Sequence, residues 1–96
     1  MIAHVVMIKV KDEDKDRLPE LKAKLTSLPP IIDEIQTYEV GINEIESARA
    51  YDASLYSTFE SYEALKTYNE HPEHQKVLGF IRSIAAHVAA VDYTLD

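Results

Sequence analysis

A chain of 96 residues is one domain, and at this size folding hides only about two thirds of the surface that the unfolded chain exposes, so its core is thin. Apolar and aromatic residues make up 46% of it, a composition that folds, and 17 acidic against 10 basic residues give a net charge of -7, the wrong sign for gripping nucleic acid or an anionic membrane. With no cysteine, a disulfide framework, a thiolate metal site and a thiol nucleophile are all excluded.

The opening MIAHVVMIKV lacks the basic start, long apolar stretch and small-residue cleavage site of a secretory signal. No run approaches the roughly 20 apolar residues that span a bilayer, so the expected location is the cytoplasm. Residues 2–10 are rich in β-branched side chains and apolar on both parities, with His4, Val6, Ile8 and Val10 on one side and Ala3, Val5 and Met7 on the other. That pattern predicts a central strand covered on both faces. The charged run KDEDKD reads as a solvated loop. Leu18, Leu21, Leu25 and Leu28 then recur at helical spacing; Pro19 suits only a first turn, which makes Asp16 the expected cap, and Pro29 and Pro30 stop the helix.

A second strand is predicted over 35–42, IQTYEVGI, with Tyr38, Val40 and Ile42 alternating against Thr37 and Glu39. After a polar loop over 43–50, residues 51–59 predict a third strand with Tyr51, Ala53, Leu55 and Phe59 on one face and Tyr56 on the other. Ser61 is the expected cap of a helix carrying Tyr62, Leu65 and Tyr68. Pro72 breaks that helix, because the residue before a proline is pushed out of the helical region while proline itself suits the first position of a new helix, with His71 as its cap. The new helix carries Val77, Phe80, Ile81 and Ile84, and HVAAVDYTL, 87–95, closes the chain as a strand.

The order β-α-β-β-α-β predicts an α+β fold: a ferredoxin-like sandwich with a four-stranded antiparallel sheet, spanning 1–96 as a single domain. All helices would cover one sheet face. Val5 and Met7 would lie on the bare one, and a contiguous apolar face on so small a domain predicts a homodimer formed through it.

Placed this way, HVVMIKVKDE, YEVGIN, YDASLYSTFESYEAL, YNEHPEH and VDYTLD resemble, nearly end to end, the stress-responsive A/B barrel (Dabb) family of the dimeric α/β barrel superfamily. The most specific element is the Y-x-x-H-P-x-H string. The resemblance implies homodimers whose two sheets face each other as a dimeric α/β barrel. One plant member, olivetolic acid cyclase, closes a polyketide by aldol chemistry without a cofactor, through the tyrosine and second histidine of that string. Those positions correspond to Tyr68, a hydrogen-bond donor, and His74, the acid/base, with an N-terminal strand histidine at His4. His71, Val6, Ile8 and Leu25 are the expected substrate-binding residues. The first helix departs from the cyclase, carrying Lys22, Ala23 and Leu25 where the cyclase has aromatic residues.

An imidazole that titrates near neutrality beside a phenol that donates to a developing oxyanion can move a proton next to a carbonyl. The expectation is cofactor-independent cyclase, isomerase or lyase chemistry on a small apolar carbonyl or polyketide-like compound. Tyr68 and His74 are six positions apart, so the break at Pro72 is needed to bring them to one cavity. The competing expectation is a non-catalytic, stress-associated dimeric scaffold or binding protein in which His71 and His74 serve backbone groups at the helix junction. No metal and no cofactor is expected, since Pro72 removes the common helical face that an H-x-x-H chelate over His71 and His74 would use.

Overall fold

The computed structural model describes all 96 residues. Four strands, β1 (Ile2–Val10), β2 (Ile35–Ile42), β3 (Ala53–Phe59) and β4 (Ala85–Thr94), and three helices, α1 (Leu18–Thr26), α2 (Tyr62–Glu70) and α3 (Pro72–Ile84), follow the predicted order. The sheet is antiparallel throughout, in the order β2-β3-β1-β4. This is the ferredoxin-like α+β sandwich, with β1 interior as its two-sided apolar pattern requires.

The helices form because each start and stop is chemically marked. Ser61 accepts the N–H of Ala64 at 3.1 Å and so caps α2. At the end of α1 the Thr26 hydroxyl donates to the Lys22 carbonyl at 2.8 Å and that of Ser27 to the Lys24 carbonyl at 2.6 Å, so the last turn is satisfied before Pro29 and Pro30. Two expectations are corrected here. The run Asp12–Arg17 is a 3-10 helix rather than a loop, and Arg17, with no side-chain cap bond, occupies the position expected of Asp16. A tightened turn commonly leads into an α-helix, and three consecutive acidic residues, Asp12, Glu13 and Asp14, favour such an N-terminus. Tyr62 is exposed and lies off the packed face of α2, which is made by Leu65 and Tyr68.

The core lies between the helices and one sheet face, where Leu21, Leu25, Leu65, Val77, Ile81 and Ile84 meet Ile2, Ile8, Val10, Val40, Leu55 and Phe59. Strand pairing fixes which residues share that face. Val40, Leu55, Val6 and Ala90 form one cross-sheet row, and Tyr38, Ser57, His4 and Asp92 form the next. The opposite face carries the rows Glu39, Tyr56, Val5, Val91 and Gly41, Ser54, Met7, Ala89, with no helix over it. No helix is long and apolar enough to cross a membrane.

Candidate active site

The break at Pro72 sets the local geometry. Proline has no N–H to offer the Tyr68 carbonyl, which accepts from the His71 N–H instead, at 3.2 Å. His71 ends α2 and starts α3, and its Nδ1 accepts the N–H of Glu73 at 3.1 Å. The second helix leaves at a new angle, and His74 on its first turn swings back over Tyr68. Their rings meet at 4.2 Å between centroids.

Tyr68 is the hub of the cluster. It is 0% exposed and touches Phe59 of β3 at 5.0 Å, Tyr38 of β2 at 6.1 Å and His4 of β1 at 6.2 Å, ring to ring. Its hydroxyl shares a hydrogen bond of 2.8 Å with the Tyr38 hydroxyl. Burial pushes the Tyr38 phenol up to about 12, against a smaller opposing effect of the bond to Tyr68. Burial, reinforced by Tyr38, raises the Tyr68 phenol further still, so both are neutral at pH 7 and one is free to donate.

His74 is 6% exposed, and burial is the main reason its pKa lies below 6.5; the Asn69 carbonyl opposes the shift, and His4 and His71 add to it. The ring is therefore neutral at pH 7. Its Nδ1 lies 3.1 Å from the Asn69 carbonyl, which can only accept, so Nδ1 carries the proton and Nε2 the free lone pair. No buried side-chain nitrogen or oxygen lacks a partner, and Nε2 has none in the protein, so it reaches solvent. His4 Nδ1 bonds the carboxylate of Asp92, its neighbour across β1 and β4.

The structure thus brings His4, Tyr68 and His74 together and adds Tyr38 and Asp92, which the sequence reading did not single out for chemistry. Parity did place Tyr38 on the face of Val40; its contact with Tyr68, 30 positions away, carries no local signal. The other expected residues are spread out. Ile8 and Leu25 are core side chains, Val6 sits half-buried one row from His4, and His71 is held at the helix junction.

One expectation of the geometry is corrected. The phenol and imidazole face each other rather than a shared hollow, because Phe59 and Tyr38 fill the space around them. None of the five principal cavities is lined by His4, Tyr68 or His74. The largest, about 670 Å³, is an open polar groove between Lys9, Lys15, Asp52 and the loop before β3. No three His, Asp or Glu side chains gather as a metal-holding group.

Known proteins fit this architecture closely. An uncharacterized protein of Streptomyces coelicolor is 32% identical over 97% of this chain and 98% of its own length. A stress-response A/B barrel domain-containing protein of Arabidopsis thaliana is 30% identical over 100% of this chain, which spans only 37% of that relative. Among solved structures, a dimeric protein of unknown function and ferredoxin-like fold from Bacteroides fragilis superposes with a TM-score of 0.87 at 29% identity, over 98% of this chain and 95% of that one. A hydroxynitrile lyase from Passiflora edulis shares the fold at 15% identity, with a TM-score of 0.86 over 99% of this chain and 93% of its own. One architecture hosts a lyase and proteins without an assigned reaction, so fold does not choose the chemistry. The family model of the Stress Responsive A/B Barrel Domain matches residues 2–95, and the chain belongs to that family.

Proposed function

We propose that this protein is a homodimer that binds a small apolar carbonyl compound against the cluster around Tyr68 and moves a proton on it without a cofactor, with His74 as the acid/base. The observation that carries the reading is the tautomer of His74: Nδ1–H is committed to the Asn69 carbonyl, leaving a neutral, solvent-reaching Nε2 as the basic atom. Tyr68, fully buried, orients through its hydroxyl the partly exposed phenol of Tyr38, which supplies a hydrogen-bond donor for an enolate oxygen, and His4, oriented by Asp92, supplies a second. A positioned base of this type is worth about 10²- to 10⁴-fold in rate, enough for enolisation, aldol closure or lyase chemistry on an activated substrate. The dimer is supported by the uncovered apolar sheet face and by the dimeric state of the Bacteroides fragilis relative.

A second reading, a non-catalytic dimeric module, is favoured by the absence of the cluster from every principal cavity. Titration of labelled protein with β-diketones and lactones, followed at the His74 and Tyr68 ring resonances, separates the two. Saturable shifts at both rings, and deuterium exchange at the ligand's α-carbon that His74→Ala abolishes, are expected of the first reading. Rings that no ligand moves leave the second.

A further inference from the structure

We propose that the hollow beside Gly41 on the uncovered sheet face is the seat of Tyr56 from a second copy of the chain, so that the two subunits lock through alternating recessed and raised rows. The inference rests on the homodimer of the proposed function and adds which side chain meets which. A glycine inside a strand gives up packing and costs backbone entropy, so it marks a bulge, a positive φ or a place that something else approaches closely. Gly41 meets neither of the first two needs. Its pairing with Ser54 is regular, the register shift of β2 lying between Ile35 and Thr37, and no glycine has a positive φ. A Cβ built on Gly41 would meet only the Ser54 hydroxyl, at 3.5 Å, an ordinary contact. Nothing within the chain therefore requires a residue without a side chain here. What the missing side chain leaves is a hollow of about 250 Å³ bordered by Met7, Gly41, Tyr51 and Ser54. That is below the roughly 300–1,000 Å³ of ligand clefts and is the size of one large side chain.

The same face supplies that side chain. The row Gly41, Ser54, Met7, Ala89 has small residues at three of its four positions, and a second hollow of about 140 Å³ lies at its other end, among Val5, Met7, Ala89 and Val91. The adjacent row, Glu39, Tyr56, Val5, Val91, is raised, with Tyr56 and Val91 exposed. Two recessed rows laid on each other would leave voids that neither copy fills. A two-fold axis running across the strands, midway between the raised and the recessed row, avoids this. It sets Tyr56 over Ser54 of the second copy, beside Gly41, with Met7 over Val5 and Val91 over Ala89. Because both rows belong to one face, the contact recurs in reverse, as a self-complementary interface requires. Glu39, on the edge strand β2, falls at the rim, where a charge stays hydrated.

Sedimentation equilibrium on the full chain tests this through a double-mutant cycle. Gly41→Leu fills the hollow from its own strand and Tyr56→Ala removes its occupant, and each should raise the dimer dissociation constant at least about tenfold, since the seat occurs twice per dimer. In the double variant the added leucine takes the space that Tyr56 vacates, so the dimer should be at least about fivefold tighter than the product of the two single effects gives. Should Gly41→Leu not fold, Ser54→Leu, on an exposed side chain at the opposite wall of the hollow, takes its place in the same cycle. A dimer that either single variant leaves within about twofold of wild type overturns the proposal, as do single effects that simply multiply. A wild type that stays monomeric sinks the dimer reading together with this one, whereas a wild-type dimer whose variants fail the cycle sinks only the seat of Tyr56.

Discussion

On its helix-facing side the sheet carries a row of four polar side chains, Tyr38, Ser57, His4 and Asp92, while its open side carries Val5, Met7, Tyr56 and Val91 at comparable height. The covered row holds two hydroxyls, one imidazole and, at its β4 end, the exposed carboxylate of Asp92, whereas Met7 and Val91 on the bare face are 42% and 55% exposed. A folded monomer under selection for solubility alone would arrange these the other way round. The inversion teaches that each face answers to something besides the stability of one chain: a polar cluster in which Ser57 and Tyr68 are fully buried on one side, and an uncovered apolar surface on the other.

The largest effect expected separates the cluster's two duties. Tyr68 is fully buried among Phe59, Tyr38, His4 and His74, so Tyr68→Ala should cost about 3–5 kcal/mol of unfolding free energy by denaturant titration. A loss under about 1 kcal/mol would mean that the cluster is not packed as described. On the open face, Val91→Lys places a charge where the proposed partner subunit sits. Association should weaken by about 2–3 kcal/mol in sedimentation equilibrium, while the fold of one chain, for which this is a surface change, should shift by no more than about 0.5 kcal/mol. Unchanged association would remove this face as the interface. Smaller again is Tyr38→Phe, which leaves the Tyr68 hydroxyl buried without its partner at 2.8 Å and should cost about 1–2 kcal/mol. Restored stability in the double variant Tyr38→Phe with Tyr68→Phe would show that the cost lies in the orphaned hydroxyl.

The two faces were unequally legible in the sequence. Strand parity assigned Tyr38, Val40 and Ile42 to one side and Val5 and Met7 to the other, because a period of two is a local property that survives in any register. Ser61 as a cap and Pro72 as a break were legible for the same reason, since each acts within one helical turn. What local pattern does not contain is register. The meeting of His4 with Asp92 spans 88 positions and exists only because β1 and β4 align those two residues. Nor did spacing reveal that Tyr38 would fill the space beside Tyr68, since parity gives a side but not a height. At the start of α1, Asp16 looked like a cap because short polar residues usually serve there, yet the 3-10 turn over Asp12–Arg17 moved the helix start past it.

The smallest effect bears on the burial of His74, on α3 beside that row. Burial holds the folded pKa of His74 below its unfolded value of 6.5. Between those two values the unfolded chain binds more protons than the folded one, so stability rises with pH there. The stabilisation associated with neutral His74 is complete above about 6.5 and is lost as pH falls toward the folded pKa, with a slope that one group cannot raise above about 1.4 kcal/mol per pH unit. The chain holds three other histidines, so the quantity to measure is the difference between wild type and His74→Asn, which keeps a donor for the Asn69 carbonyl but has no proton to gain. Denaturation midpoints from pH 8 down to pH 5 should fall more steeply for the wild type than for the variant. Parallel profiles would mean that His74 is as well hydrated in the folded chain as in the unfolded one, and that its place over Tyr68 does not keep water from the ring.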